Sequence, residues 1–179
     1  MRIDDFMPLY DIRMKHRELA SASAGTIYSA VRRTDLGTSW LIRLLFRVRG
    51  LPRSALHLNG LISLGFIPLI DLPDRELLLG IVGKFWTPSG SLVRVAPHDF
   101  TSFEEDGYAK AALAIAIRPI AAEETEVVTE TRVKTYGQSA RLKFRLYWSV
   151  IAPFSRLIRR EMLRLIRVHA SSVSEGESA

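Results

Sequence analysis

Apolar and polar residues alternate along residues 10–19 (YDIRMKHREL), with Tyr10, Ile12, Met14 and His16 on one side and Asp11, Arg13, Lys15 and Arg17 on the other. That period of two predicts a half-buried β-strand. Ser21 and Ser23 then offer N-caps to a short helix over 24–33, whose Ile27, Ala30 and Val31 form an apolar stripe, and Gly37 closes the unit. A second short helix is predicted over 39–48 (SWLIRLLFRV), with Gly50 and Pro52 as its stop signals. Residues 53–65 mix apolar positions with Asn59, Gly60 and Gly65 and fit a loop or a short helix.

Two strands are predicted at 66–72 and 75–86, joined by a tight turn at Leu72, Pro73 and Asp74. In the second arm Leu77, Leu79, Ile81, Gly83 and Phe85 share one face, and Glu76 and Lys84 mark the opposite face as the wetter one. A short apolar segment at 92–96 is a further strand candidate and leads into an acidic loop. Long strands follow at 108–119 and 125–136. Ala109, Ala111, Leu113, Ile115 and Ile117 face inward in the first, as do Val127, Thr129, Thr131 and Val133 in the second. From residue 138 or 139 to 169 the period becomes helical. Leu146, Val150, Phe154, Leu157, Ile158, Met162, Leu165 and Ile166 make a broad apolar face, and the other face collects arginines from Arg141 to Arg167. Pro153 lies inside this helix and predicts a kink.

The 179 residues suit one domain, placed at 1–170, with an unstructured tail at 171–179 (SSVSEGESA). A hydrophobic content of 47% with 25% charged residues is ordinary for a globular chain. The absence of cysteine removes disulfides, thiolate metal sites and cysteine nucleophiles together. Two acids near the start argue against a signal peptide, and the polar residues within 56–72 argue against a membrane span, so the expectation is a soluble, cytoplasmic protein. Residues 80–84 (GIVGK) lack the spacing of a phosphate loop, and the four histidines lack metal-ligand spacing, so neither a cofactor nor a metal is expected. The net charge of +6 raises nucleic acid and anionic membranes as partners. No stacking platform accompanies the charge, which argues against nucleic acid.

The segments ELLLGIVGKFW (76–86), TETRV (129–133) and RLYWSVIAPFSRLIRREML (145–163), in this order of elements, resemble bacterial members of the START-like (SRPBCC, helix-grip) superfamily that have no assigned function. The resemblance covers about residues 9–167. It implies an α+β fold in which a curved antiparallel sheet of six or seven strands wraps a long C-terminal helix, with two short helices after the first strand. The sequence offers six strand candidates where the superfamily usually has seven. The resemblance further implies a cavity between the concave sheet face and the C-terminal helix, which the superfamily uses for lipids, polyketides and other apolar molecules.

On that frame the expected ligand-binding residues are Ile12, Met14 and His16 of the first strand, Leu79, Ile81 and Phe85 of the hairpin, and Leu113 and Ile115 of the next strand. From the helix they are Phe154, Ile158, Glu161 and Met162. His16 is either a ligand contact or a core-edge histidine satisfied by backbone. Glu161 is either a buried carboxylate in the cavity or the ion-pair partner of Arg164. The leading expectation is binding or carriage of an apolar or amphipathic small molecule. A cyclase or dehydratase in which His16 and Glu161 form an acid/base pair is the first alternative. The second is an interaction module that docks on an anionic membrane or a partner through Arg156, Arg159, Arg160 and Arg167.

Overall fold

The computed structural model describes residues 1–33, 35–48 and 56–177. In chain order the elements are α1 (Ile3–Phe6), β1 (Ile12–Ala20), α2 (Ala24–Arg33), a 3-10 turn (Leu36–Thr38), α3 (Trp40–Val48) and α4 (Leu58–Leu64). They continue with β2 (Ile67–Leu72), β3 (Glu76–Gly83), β4 (Ala109–Ala121), β5 (Glu124–Thr135) and α5 (Gln138–Glu177). The expected stop signals of α3, Gly50 and Pro52, lie outside the described residues.

The strands form one curved, open antiparallel sheet in the order β1-β5-β4-β3-β2. Among the described residues the sheet has five strands rather than six or seven. The candidate strand at 92–96 makes only an isolated bridge, Val93 with Val82. A tight turn precedes it, in which Lys84 N–H donates to Gly90 O at 2.7 Å and both Gly90 and Ser91 take positive φ, so the chain leaves the sheet edge after a single pairing. Of the ambiguous stretch 53–65, residues 53–55 lie outside the described residues, and helix α4 follows and ends at Gly65 in the left-handed conformation. α5 runs through Pro153 and on to Glu177, across most of the segment expected to be unstructured. Among the described residues no helix is long and apolar enough to cross a membrane.

Both faces of the sheet are covered. On the concave face Leu77, Leu79, Ile115, Ile117 and Val127 pack against Ile27, Ala30 and Val31 of α2 and Leu163 and Ile166 of α5. The convex face, expected to be wet, carries a second core of Ile3, Met7, Ile67, Ile70, Leu78, Val82, Phe100, Ala112 and Ala114. Alternation across β3 is lost because every one of its residues is buried. A sheet covered on both sides reads as a continuous apolar run. Gly80 makes room for the cover, since a Cβ there would sit 2.7 Å from the Phe100 ring and 2.9 Å from Leu69.

The charged residues of the convex face are satisfied within this layer. Arg13 donates to both oxygens of Glu130 (2.8 and 3.0 Å), and Arg132 donates to Glu130 (2.7 Å), Asp4 (2.6 Å) and the Met7 carbonyl (2.7 Å). Burial alone would raise the Glu130 carboxyl, but the hydrogen bonds from Arg13 and Arg132 outweigh it and hold the group below its ordinary value. Lys110 is buried on the same face and donates to the carbonyls of Phe100 and Thr101. This network ties the N-terminal segment and the β3–β4 connection to the sheet.

Candidate functional site

α5 crosses the concave face over β1 and β5 and packs against α2 and α3. Its sheet-facing stripe contains Ala140, Phe144, Ala152, Leu163 and Ile166, all buried. This stripe is rotated by about 100°, one residue's turn, from the face expected from sequence. Leu146, Val150, Phe154 and Leu157, expected inside, are exposed. The helix is apolar around more of its circumference than the sheet can cover, so apolar density alone does not locate the buried line.

The rotation carries Arg159 inward. The sequence pattern puts Arg159 on the outer basic surface, but it falls in line with the buried Ala152 and Leu163. The residue is half-buried as a whole, and its Nε and Nη1 are enclosed without a hydrogen-bond partner. Burial brings its pKa down from 12.5 to about 10, so it stays cationic at neutral pH. Among the described residues no carboxylate pairs with it. Glu161 bonds to both Arg164 (2.7 and 2.9 Å) and the Ser39 hydroxyl (2.8 Å), and Glu18 bonds to Arg167 (2.9 Å).

Three more enclosed polar atoms without partners belong to the strands beneath α5: His16 Nδ1, Thr129 Oγ1 and Thr131 Oγ1. The register explains their grouping. His16 lies directly opposite Thr129, and Met14 opposite Thr131, so the polar side chains occupy adjacent rungs on the inner face of the β1–β5 ladder. Across the next ladder Thr129 faces Ile115 and Thr131 faces Leu113. Burial, then the charges of Arg159, Arg156 and Arg160, hold the His16 imidazole below its ordinary value and keep it neutral at pH 7. Each unsatisfied buried polar group costs about 1–3 kcal/mol, so the four residues together are an expensive arrangement for a core.

Beside them a half-open hollow lies at the edge of the concave core. This hollow of about 50 Å³ has a sheet wall of Leu77, Leu79, Leu113 and Ile115 and a roof of Met162 and Ile166 from α5. Its outer wall is Val31 of α2, Leu36 of the 3-10 turn, and Leu56, Leu58 and Leu61 in and before α4. The volume equals that of roughly three or four water-sized spheres. The far end of the groove is plugged. Phe144, Tyr147, Trp148, Phe85 and Trp86 gather there with Ile12, and the Phe144 and Trp148 rings stack at 5.6 Å.

Of the expected ligand residues, Leu79, Leu113, Ile115 and Met162 line the hollow. Ile12 and Phe85 belong to the aromatic plug, Ile158 packs on Ile42 and Leu56, and Phe154 is exposed. Met14 and Ile81 are buried in the concave side without lining the hollow. Glu161 takes the ion pair with Arg164, so the acid/base pairing of His16 with Glu161 is not formed. Arg156, Arg160 and Arg167 are exposed, and Arg167 is also paired with Glu18. Sequence reasoning missed Arg159 as an inward residue and Leu36, Leu56, Leu58 and Leu61 as a wall. The usable signal is position 159 itself, seven residues after Ala152 and seven before Ile166, two whole turns from each.

No protein-family model matches the chain, and no curated protein matches it. Among solved structures it is similar to a conserved protein from Geobacillus kaustophilus, with 11% identity, a TM-score of 0.46, and coverage of 90% of this chain and 96% of that one. A protein from Thermus thermophilus is similar at 8% identity and a TM-score of 0.35, covering 91% of this chain and 99% of that one.

Proposed function

We propose that the protein binds an amphipathic small molecule between the concave sheet face and α5, in the manner of the START-like helix-grip proteins that its sequence resembles. The observation that carries this reading is the apolar hollow under Met162 and Ile166, together with four polar residues on β1, β5 and α5, outside its lining, that have buried atoms without partners inside the protein. A core serving only stability would pair these polar atoms, and the half-open apolar hollow near them supplies room for a ligand. Drug-sized ligands occupy roughly 300–1,000 Å³, so the hollow of about 50 Å³ takes only a short apolar group as it stands. A longer ligand requires the outer wall to move. Apart from Val31 of α2, that wall is α4 with the preceding Leu56 and the 3-10 turn, which contribute no strand to the sheet.

The test is a methyl NMR titration with 1-hexanol. Binding in the hollow shifts the methyls of Leu79, Leu113, Ile115 and Met162 and spares Leu78 and Ile67 of the convex core. Absent shifts, or shifts spread evenly over both cores, contradict the reading.

A second reading rests on a separate observation. Leu142, Leu146, Val150, Phe154 and Leu157 form an exposed apolar ridge along α5, flanked by exposed Arg141, Lys143, Arg145, Arg156 and Arg160. An apolar line bordered by cations suits the surface of an anionic membrane, where each basic residue contributes about 1 kcal/mol. Sedimentation with phosphatidylserine vesicles, reduced by salt and by Val150→Glu, is the expected result. Equal recovery in the supernatant with and without vesicles removes this reading.

A further inference from the structure

Arg159 has two enclosed guanidinium nitrogens, Nε and Nη1, and no counter-ion among the described residues, and the polar groups gathered beneath α5 are donors or dual-purpose groups. Thr129 and Thr131 present hydroxyls, and His16 presents a ring nitrogen, all enclosed and unpartnered. The other charges acting on His16 are again cationic, from Arg156 and Arg160. The carboxylates on neighbouring turns are engaged elsewhere, Glu161 with Arg164 and Ser39, and Glu18 with Arg167. The site therefore has one fixed positive charge, two hydroxyls and a neutral imidazole, and lacks only an anionic acceptor.

We infer that Arg159, His16, Thr129 and Thr131 hold the anionic end of the ligand, and that the ligand is a monoanionic carboxylate whose apolar part enters the adjoining hollow. This rests on the hollow being the ligand site. The geometry supports adjacency, because Thr131 and Thr129 sit opposite Leu113 and Ile115 of the hollow wall, and Met162 of its roof is one helical turn from Arg159. The count of enclosed charges selects the class, because Arg156 and Arg160 act on His16 from exposed positions and only Arg159 has enclosed guanidinium nitrogens. One enclosed guanidinium neutralises a carboxylate, whereas a phosphate monoester near pH 7 carries close to two charges and would draw its second counter-charge only from solvent-screened arginines. A neutral alcohol of the same length would leave the guanidinium uncompensated. The carboxylate instead receives charge-assisted hydrogen bonds from the arginine, with the two hydroxyls and the ring nitrogen as further donors.

The test is calorimetric and NMR titration of the full chain at pH 7 with hexanoate, 1-hexanol and inorganic phosphate. Hexanoate is expected to bind at least about tenfold tighter than 1-hexanol, and Arg159→Met to bring the two to within about twofold while leaving 1-hexanol unchanged. Thr131→Val, nearly isosteric, is expected to weaken hexanoate several-fold without touching 1-hexanol, which keeps the result interpretable should the arginine variant misfold. Equal binding of hexanoate and 1-hexanol in the hollow overturns the inference and leaves the proposed ligand site standing. Failure of both to bind removes the proposed site and this inference with it. Phosphate binding at Arg159 more tightly than hexanoate overturns the assignment to a carboxylate.

Discussion

Arg159→Met should stabilise the ligand-free protein. The fall of the Arg159 pKa from 12.5 to about 10 corresponds to about 3 kcal/mol working against the charged form on folding. No partner is orphaned when the charge is removed, because Nε and Nη1 have none, and methionine keeps much of the apolar stem in place. Relaxation around the charge reduces the gain, so an increase of about 1–3 kcal/mol is expected, or roughly 3–10 °C in melting temperature for a chain of this size. The pH dependence gives a second readout. Below pH 10 both the folded and unfolded states hold the proton and the penalty is fully present. Between about 10 and 12.5 the unfolded state binds more protons than the folded one, so stability from this group rises with pH, and the gap between wild type and variant narrows. Urea unfolding at pH 7 and at pH 10.5 measures both. A variant less stable than wild type at pH 7 would show that Arg159 makes favourable internal contacts, and the reasoning would fail.

The buried charges of the convex face, the tight glycine and the histidine each give a further expected outcome. Glu130→Ala removes the shared partner of Arg13 and Arg132 and leaves buried Arg132 with only the exposed Asp4 as counter-charge, so denaturant unfolding should show a loss of about 3 kcal/mol. Asp4, Asp11 and Glu130 all have pKa values lowered on folding, so their contribution is present above the ordinary carboxylate range and is lost as pH falls through the depressed values; an acid melt in which Glu130→Gln flattens the loss below pH 4 would bear this out. Gly80→Ala forces a Cβ to 2.7 Å from Phe100 and should cost about 1–3 kcal/mol by thermal denaturation, while Gly107→Ala, which meets no atom within 4 Å, loses only what its positive φ imposes. His16, held low by burial and nearby arginines, should titrate below 6.5 in the ligand-free protein and move upward when hexanoate binds, as followed by imidazole proton shifts.

The fold is legible in the sequence wherever the two faces of an element carry different residue types. β1 and β5 alternate apolar or threonine residues with charged ones, even though Glu130 and Arg132 of β5 are buried, and α2 is delimited by Ser23 and the two arginines at its end, so their positions follow from periodicity. Legibility fails where both faces of an element are apolar or where it is apolar around too much of its circumference. β3 is buried throughout, so Glu76 and Lys84 suggest a wet face where Phe100 and Met7 lie in the second core. Glu76 accepts from the Arg2 backbone N–H, a tertiary contact that no spacing announces. In α5 an apolar arc wider than its buried stripe puts Leu146 and Val150 inside and Arg159 outside, the reverse of where they lie. The candidate site is accordingly half readable. His16, Leu79, Leu113, Ile115 and Met162 come from alternation and helical phase, whereas Arg159 is hidden because an arginine on an amphipathic helix ordinarily belongs to its wet side.

The most direct test is a crystal structure of the full chain grown with hexanoate. The account predicts the carboxylate within hydrogen-bond distance of the Arg159 guanidinium and of the Thr129 or Thr131 hydroxyl, with the alkyl chain running past Leu113 toward Met162. Well-ordered density in which Arg159 turns out to solvent, and the space between α5 and β5 closes over side chains alone, would contradict it.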